Sequence, residues 1–175
     1  MVNLQLPDTP VLSTEQIRQR VFELGQHISQ EFRGRHLVLL GVLNGAFIFT
    51  ADLCRAIDLD VEIDFIRVVS YGKSSVSSGS IRLIKEPDID LAGKDVLLVE
   101  DIVDTGNTMA WLKQHFSAGK TGRVHTCTLI DKKERRMTPV DVDFVGFDLD
   151  RGFLVGYGLD YAERYRNLKA IYSLD

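Results

Sequence analysis

Residues 96–108, which read VLLVEDIVDTGNT, constrain the fold of this chain more than any other segment. A short apolar run leads into three carboxylates and a small polar loop, which are Glu100, Asp101, Asp104, Thr105, Gly106, Asn107 and Thr108. This order predicts a buried strand that carries acidic side chains to its carboxyl end, followed by a loop that opens a helix. Carboxylates there can hold sugar hydroxyls, and the N–H groups of a helix start can hold phosphate.

The remaining periodicity predicts strands and helices in alternation. Helices are predicted at residues 13–32, 46–57 and 108–116, and strands at 36–43, 61–69, 81–84, 96–100, 124–130, 144–147 and 153–155. Such alternation predicts an α/β fold with a central, mostly parallel sheet flanked by helices. Ligands of such sheets bind beyond the carboxyl ends of the strands, where the sequence places Asn44-Gly45, residues 100–108 and Asp131-Lys132-Lys133.

Composition narrows the class of protein. At 175 residues, the chain is long enough for one domain with a substantial core. Its net charge of −4 offers no basic surface, so we expect no nucleic-acid partner. It has no apolar run long enough for a membrane span and no signal peptide pattern, so we expect no membrane partner and a cytoplasmic location. Cys54 and Cys127 lie in apolar surroundings that favour buried, reduced thiols.

Other ligand-binding signatures fit the chain less well. It has neither a P-loop nor a GxGxxG dinucleotide fingerprint. VLLVED resembles the first strand of a response-regulator receiver domain, and GFDLDRG resembles the nucleophile loop of haloacid-dehalogenase-type phosphatases. Too little chain follows Asp148 and Asp150 to complete either domain, so we disfavour both interpretations.

The whole of VLLVEDIVDTGNT resembles the phosphoribosyl-diphosphate-binding motif of type I phosphoribosyltransferases. Four further segments resemble the hypoxanthine-guanine branch of that family: VLNGAFIF its first loop, SYG followed by SSG its mobile catalytic loop, LIDKKERR its purine-contact loop, and DFVGFDLDRGFLVGYGLDYAERYRNL its C-terminal purine-binding segment. The resemblance runs from about residue 13 to the end of the chain.

The resemblance implies a type I phosphoribosyltransferase fold in a single domain spanning residues 1–175. The core would span about 35–147. The N-terminal segment and residues from about 148 to 175 would form a small hood, and residues from about 70 to 80 a mobile loop.

The resemblance also implies purine salvage. The enzyme would transfer the 5-phosphoribosyl group from phosphoribosyl diphosphate to hypoxanthine, and also to guanine, giving IMP or GMP plus pyrophosphate. Mg²⁺ would be the cofactor, and the protein would be a homodimer or homotetramer. Two alternatives stay open: a guanine- or xanthine-preferring enzyme, and a nucleotide-sensing, RNA-binding regulator, which the acidic charge disfavours.

Site residues follow from the matched motifs. Phosphoribosyl diphosphate would be bound by Leu43, Asn44, Gly45, Glu100, Asp101, Asp104, Thr105, Gly106, Asn107, Thr108, Arg136 and Arg166. The metal ligands would be Glu100, Asp101 and Asp160. The purine would be bound by Lys132, Phe153, Leu154 and Asp160.

Three residues are implied in catalysis. Asp104 would be the general base or hydrogen-bond partner at purine N7, and Ser70 and Tyr71 would close over the reacting centre to exclude water. One residue departs from the family pattern, because many members carry Lys where this chain has Asn44. The substitution removes a cation near the leaving group, although the backbone of the loop can still bind. The family often has a cis peptide between Leu43 and Asn44.

Overall fold

A twisted, mostly parallel sheet forms the centre of the fold. The computed structural model describes residues 6–71, 80–150 and 152–174, with only the backbone described at Ser70, Tyr71 and Ser80. Within those ranges the sheet contains β1 (Leu37–Leu43), β2 (Val61–Tyr71), β3 (Ser80–Lys85), β4 (Asp95–Val103), β5 (Val124–Lys132) and β6 (Phe144–Leu149). Their order is β3-β2-β1-β4-β5-β6, and every neighbouring pair is parallel except β2 with β3. The predicted α/β class is confirmed.

The central strand β4 continues past its predicted end. It was expected to end at Glu100, but its parallel pairing with β5 continues to Val103 opposite Asp131. Glu100 and Asp101 are therefore part of the strand and buried with it.

Helices cover both faces of the sheet: α1 (Thr14–Glu31), α2 (Phe47–Ala56) and α3 (Asn107–Ser117). The spacing of Ser13 and Gln16 in the sequence predicts a capping box, and the two residues form one at the start of α1. The apolar faces of α1 and α2 pack in one core cluster, and that of α3 packs in the other. The alternation of Val61, Ile63 and Phe65 in the sequence predicts that these side chains share a half-buried face of β2. That prediction is wrong in part, because Ile63 is 40% exposed, whereas Ile66, which points to the opposite face, is fully buried in the α3 cluster.

The C-terminal segment adds a small second sheet, which pairs β7 (Leu154–Val155) with β8 (Tyr172–Ser173) in antiparallel fashion. The sequence did not predict β8, because two residues are too few to show a periodicity. Ile171 bridges to Leu12, so the segment that precedes α1 is joined to the end of the chain. The predicted mobile loop lies outside the described residues at positions 72–79.

Two expectations about the chain as a whole can be compared with the structure. None of the described helices has the length and apolarity to cross a membrane. Cys54 and Cys127 are free thiols, as expected. Cys127 is buried, and burial raises the pKa of its thiol above the ordinary range. Cys54 is only half-buried.

Candidate active site

Two buried carboxylates lie side by side near the carboxyl end of β4. Glu100 and Asp101 are each exposed by less than a tenth. Burial, together with repulsion from Asp101, raises the pKa of Glu100 well above its usual range. Burial also raises the pKa of Asp101, although the Arg166 guanidinium opposes that rise. Two acidic side chains are thus buried next to each other, an arrangement that suits the binding of hydroxyl groups or of a cation.

Asp101 packs tightly beneath the loop that follows β1. A Cβ atom at Gly45 would overlap the Asp101 carboxylate, so only glycine fits there. A Cβ atom at Gly158, where φ is +102°, would overlap the carbonyl oxygen of Gly45. The peptide between Leu43 and Asn44 is cis. Residues from three distant parts of the chain therefore meet at one point beside β4.

The loop from Asp104 to Thr108 leads into α3 and is held by hydrogen bonds from Met137 and Thr138. Gly106 occupies the N-cap with φ +83°. The backbone N–H groups of Met137 and Thr138 donate to the Thr105 carbonyl over 2.9 and 3.0 Å. The Thr138 hydroxyl donates to the Asn107 side-chain oxygen over 2.6 Å, so that side chain braces the loop. The loop has the backbone form that can bind a phosphate at a helix start.

Asp104 and Lys132 face each other across the ends of β4 and β5. The Lys132 ammonium lies 4.0 Å from Asp104 Oδ1, and it donates to the Gly152 carbonyl over 2.9 Å. Asp104 Oδ1 is buried and has no hydrogen-bond partner among the described residues. A buried acceptor without a donor is costly unless a ligand supplies one. A fixed donor and an unpaired acceptor therefore lie next to each other in the cleft.

Two further charged side chains, which the sequence did not single out, lie beside Lys132 and Asp104. Glu134 Oε2 lies 3.6 Å from the Lys132 ammonium, and an Arg135 guanidinium nitrogen lies 3.6 Å from Asp104 Oδ2. Both belong to the basic run after β5, which looks like a solvated loop when it is read as sequence. Thr138 was also missed, because its hydrogen bond joins it to Asn107, which lies 31 positions earlier in the chain.

Arg136, which the resemblance assigns to diphosphate binding, contacts the ends of β4 and β5 in the structure. Its guanidinium donates to the carbonyls of Val103, Asp104 and Lys132 and forms an ion pair with Asp131. Its side chain is only 17% exposed. Most of its donors are thus engaged by the protein itself, so these contacts do not support the predicted role in diphosphate binding, which stays a prediction.

Arg166, the second predicted diphosphate contact, lies on the C-terminal segment close to Asp101. One of its nitrogens is 2.9 Å from Asp160 Oδ1 and 3.0 Å from Glu163 Oε2. Another donates to the Gly158 carbonyl over 2.8 Å. The backbone is strained here, because Tyr157, Ala162, Glu163 and Tyr165 have positive φ without being glycine. Sequence reasoning missed Glu163, which is 77% exposed at its side chain.

The predicted purine contacts differ in exposure. Phe153 is 47% exposed and packs edge-on against Tyr161, with ring centroids 5.6 Å apart. Leu154 is buried in the core, so only its backbone is available to a ligand. The side chains of Ser70 and Tyr71 lie outside the described residues, and their assignment to loop closure stays a prediction.

The donor set can be tested for a metal ion. No three His, Cys, Asp or Glu side chains converge on one metal position in the part of the chain that is described. Glu100, Asp101 and Asp160 therefore do not form a single preformed cage. Buried, adjacent carboxylates with raised pKa values nevertheless fit a hard cation such as Mg²⁺. Mg²⁺ is usually held by one or two carboxylates together with water and substrate phosphates.

Comparison with known proteins identifies the family. The family model of the phosphoribosyl transferase domain matches residues 10–162. The chain belongs to the phosphoribosyltransferase family. The family and fold predicted from the motifs are thereby confirmed, and the receiver and phosphatase interpretations are not supported.

Individual members of the phosphoribosyltransferase family match over almost the whole chain. The chain is 46% identical over 171 residues to a hypoxanthine-guanine phosphoribosyltransferase of Mycobacterium avium, covering 94% of this chain and 84% of that protein. It is 42% identical over 158 residues to a hypoxanthine phosphoribosyltransferase of Escherichia coli, covering 89% of each. A crystal structure of a hypoxanthine-guanine phosphoribosyltransferase from Bacillus anthracis superposes with a TM-score of 0.90 at 43% identity, covering 98% of this chain and 99% of that one.

Proposed function

We propose that this protein transfers the 5-phosphoribosyl group of phosphoribosyl diphosphate to hypoxanthine, and also to guanine, in purine salvage. The products are IMP or GMP and pyrophosphate. The observation that carries the substrate class is the Lys132 ammonium beside the unpaired Asp104 Oδ1. A 6-oxopurine with a proton on N7 presents an acceptor and a donor on one edge, which complement these two groups. Adenine presents an amino group to Lys132, so its donors and those of the site are left unpaired.

The chemical step exchanges one bond at the ribose anomeric carbon. The bond from purine N9 to C1′ forms while the bond from C1′ to the diphosphate oxygen breaks. The bond electrons leave with pyrophosphate, and the N7 proton passes to the Asp104 carboxylate. Lys132 holds the 6-oxo group during this exchange. Asp104 is thus the catalytic base in our proposal.

The sugar phosphate is held by the elements around β4. Glu100 and Asp101 bind the ribose hydroxyls and can hold Mg²⁺, which supplies positive charge beside the leaving diphosphate when it is bound. The N–H groups and hydroxyls of the loop bind the 5′-phosphate, and the residues involved are Asp104, Thr105, Gly106, Asn107 and Thr108. Only the backbone role is assigned to Asn107, whose side-chain oxygen accepts from Thr138.

The diphosphate is bound from the side of the β1 loop. The backbone groups of Leu43, Asn44 and Gly45 face it together with the Arg166 guanidinium. Arg166 exchanges its contacts with Asp160 and Glu163 for phosphate oxygens, and Asp160 is then able to serve a second Mg²⁺. A guanidinium suits this task because its fork of donors matches phosphate oxygens.

The purine is enclosed by two further parts of the chain. Phe153 stacks on the base, and the backbones of Leu154 and Asp160 meet its edge. Ser70 and Tyr71 close over the reacting centre, because an activated sugar exposed to water would hydrolyse.

We also propose the arrangement of the whole chain. Residues 1–175 form one domain with its core at about 35–147, and the hood combines the N-terminal segment with residues from about 148 to 175. The bridge between Leu12 and Ile171 supports that pairing. We propose a homodimer or homotetramer in the cytoplasm. Light scattering of the purified protein tests the oligomeric state.

An ultraviolet assay tests the activity. Purified protein is mixed with phosphoribosyl diphosphate and magnesium, and hypoxanthine, guanine, xanthine and adenine are supplied separately. We expect magnesium-dependent nucleotide formation with 6-oxopurines and none with adenine. Faster turnover of guanine or xanthine would instead indicate an enzyme specialised for those bases. Binding of phosphoribosyl diphosphate without turnover of any base would indicate a nucleotide-sensing regulator.

A further inference from the structure

Arg136 joins the ends of the two strands that carry the central residues of the site. Parallel pairing of β4 with β5 ends where Val103 lies opposite Asp131. Beyond that point β4 and β5 no longer pair with each other, although Lys132 still pairs with Leu149 of β6. Arg136 reaches them from the turn after β5: its Nε donates to the Asp104 carbonyl over 3.1 Å, and one terminal nitrogen donates to the Val103 and Lys132 carbonyls over 3.0 and 3.1 Å.

The carboxylate of Asp131 holds the same terminal nitrogen. Asp131 is buried, with a side chain only 10% exposed, and it pairs with Arg136 through Oδ1. Because a guanidinium is planar and rigid, its several bonds fix the relative positions of the groups that they join. Lysine has a single charged nitrogen at this length and cannot reach all of those groups together.

Two of the carbonyls that Arg136 binds belong to the residues that act on the purine in the proposed function. One is the carbonyl of Asp104 and the other is the carbonyl of Lys132. Their side chains face each other at 4.0 Å. A shift of either backbone alters that distance, and displacements of about 1 Å in a site can cost about 100-fold in rate.

We propose that Arg136 is a positioning residue that sets the spacing between the Asp104 carboxylate and the Lys132 ammonium. It therefore governs purine turnover and the rejection of adenine, not the binding of diphosphate. This inference rests on the proposed function, since it assigns those two side chains to the purine.

The test compares Arg136→Lys with a matched control, Arg35→Lys. Arg35 forms a similar ion pair at the opposite end of β4, where its Nε lies 2.7 Å from Asp95 Oδ2. Three quantities are measured for each variant: kcat/KM for hypoxanthine and for adenine, the Kd of phosphoribosyl diphosphate with Mg²⁺ by calorimetry, and Tm. For Arg136→Lys we expect kcat/KM for hypoxanthine to fall at least about 10-fold. The preference over adenine should also shrink, and the Kd should stay within about twofold.

The control separates positioning from stability alone. Arg35→Lys should lower Tm and leave kcat/KM, the preference over adenine and the Kd unchanged. If Arg136→Lys behaves like Arg35→Lys, Arg136 is only structural and the inference is wrong. A weakened Kd with an unchanged KM for hypoxanthine would return Arg136 to diphosphate binding, which also overturns it.

A second variant covers the case in which Arg136→Lys does not fold. Asp131→Asn keeps the guanidinium and removes one of its anchors, so we expect the same pattern with a smaller loss of kcat/KM. Unchanged hypoxanthine kinetics in a folded Asp131→Asn protein, together with an unfolded Arg136→Lys, would contradict the inference. Absence of turnover in the unmodified protein would instead refute the proposed function itself.

Discussion

The two ends of β4 treat buried charge in opposite ways. At the amino end, the buried Asp95 carboxylate forms an ion pair with Arg35, whose Nε lies 2.7 Å from Asp95 Oδ2, and accepts a hydrogen bond from the Arg123 backbone N–H over 2.8 Å. At the carboxyl end, Glu100 and Asp101 are buried beside each other. One strand thus begins with an acid held in an ion pair and ends with two acids that form no ion pair with any other residue that the structure describes.

Within the single strand β4, the amino end therefore serves stability, whereas the carboxyl end serves function. A buried carboxylate with a guanidinium and an N–H donor stabilises the fold, because its charge is fully matched. Adjacent buried carboxylates repel each other and raise the free energy of the folded state. Groups of that kind persist at sites where a ligand supplies the missing partners.

The largest expected effect is at the carboxyl end. Asp104→Asn should lower kcat by about 10²–10⁴, because an amide cannot take the N7 proton. The Kd of phosphoribosyl diphosphate should stay within about twofold of its value in the unmodified protein, since the rest of the loop from Asp104 to Thr108 is unchanged. Single-turnover kinetics and calorimetry measure the two quantities.

The same chemical change at the amino end is the control. Asp95→Asn should leave kcat within about twofold, because Asp95 lies at the far end of the strand from the cleft. An undiminished kcat in Asp104→Asn would remove that residue from the role of base.

We expect a smaller effect on thermal stability, with Tm changing in opposite directions when the acid at each end of β4 is replaced by its amide. The raised pKa of Glu100 in the folded state means that its stabilising contribution is complete at acidic pH and is lost as pH rises through the raised value. Glu100→Gln should therefore raise Tm at about pH 8, by about 2–4 °C for each kcal/mol, and the gain should shrink as pH falls through the raised pKa and be lost by about pH 4.5. Thermal denaturation across this pH range measures the change.

Asp95→Asn should lower Tm at about pH 8, because it breaks charge-assisted hydrogen bonds worth about 1.5–3 kcal/mol. If Glu100→Gln and Asp95→Asn changed Tm in the same direction, the two ends of β4 would not differ in charge compensation. Glu100→Gln should also lower activity, as is common when a strained site is stabilised.

The smallest expected effect concerns Glu163. Its carboxylate is exposed and occupies a nitrogen of Arg166 that a diphosphate would use. Exposed ion pairs contribute about 0.2–1 kcal/mol, so Glu163→Gln should tighten pyrophosphate binding by about 1.5- to 5-fold. Calorimetric titration with pyrophosphate and Mg²⁺ measures this Kd.

Glu23→Gln is the matched control for Glu163→Gln. Glu23 forms a similar exposed pair with Arg20 on α1, 2.9 Å long, and its loss should leave the Kd unchanged. Weaker binding in Glu163→Gln would mean that Glu163 supports the site and does not compete with the ligand.

Much of the fold was predictable because its signals are local. The capping box at Ser13, the apolar face of α1 and the alternation of strands with helices all depend on neighbouring residues. The end of β4 was less predictable, because the strand continues only where β5 continues to pair with it. The short strand β8 was missed since its pairing with β7 depends on tertiary contact.

The candidate site divides in the same way. The sequence indicated which residue types belong to the site at Glu100, Asp101, Asp104 and the loop that follows, because all of them lie in one short segment. The contacts of Arg136 with the strand carbonyls were not predictable from the sequence. A basic side chain in a basic run gives no local sign of whether it faces a ligand or the strand carbonyls.

The sequence by itself determined the α/β class, the acidic strand end, the helix that opens after the loop, and the family. Tertiary structure alone decided which charges are compensated and which are left for a ligand. Asp95 is matched and Glu100 is not, although five positions of one strand separate them. The physical reason is that compensation depends on groups from distant segments, and their distances are set only when the sheet and its helices pack together.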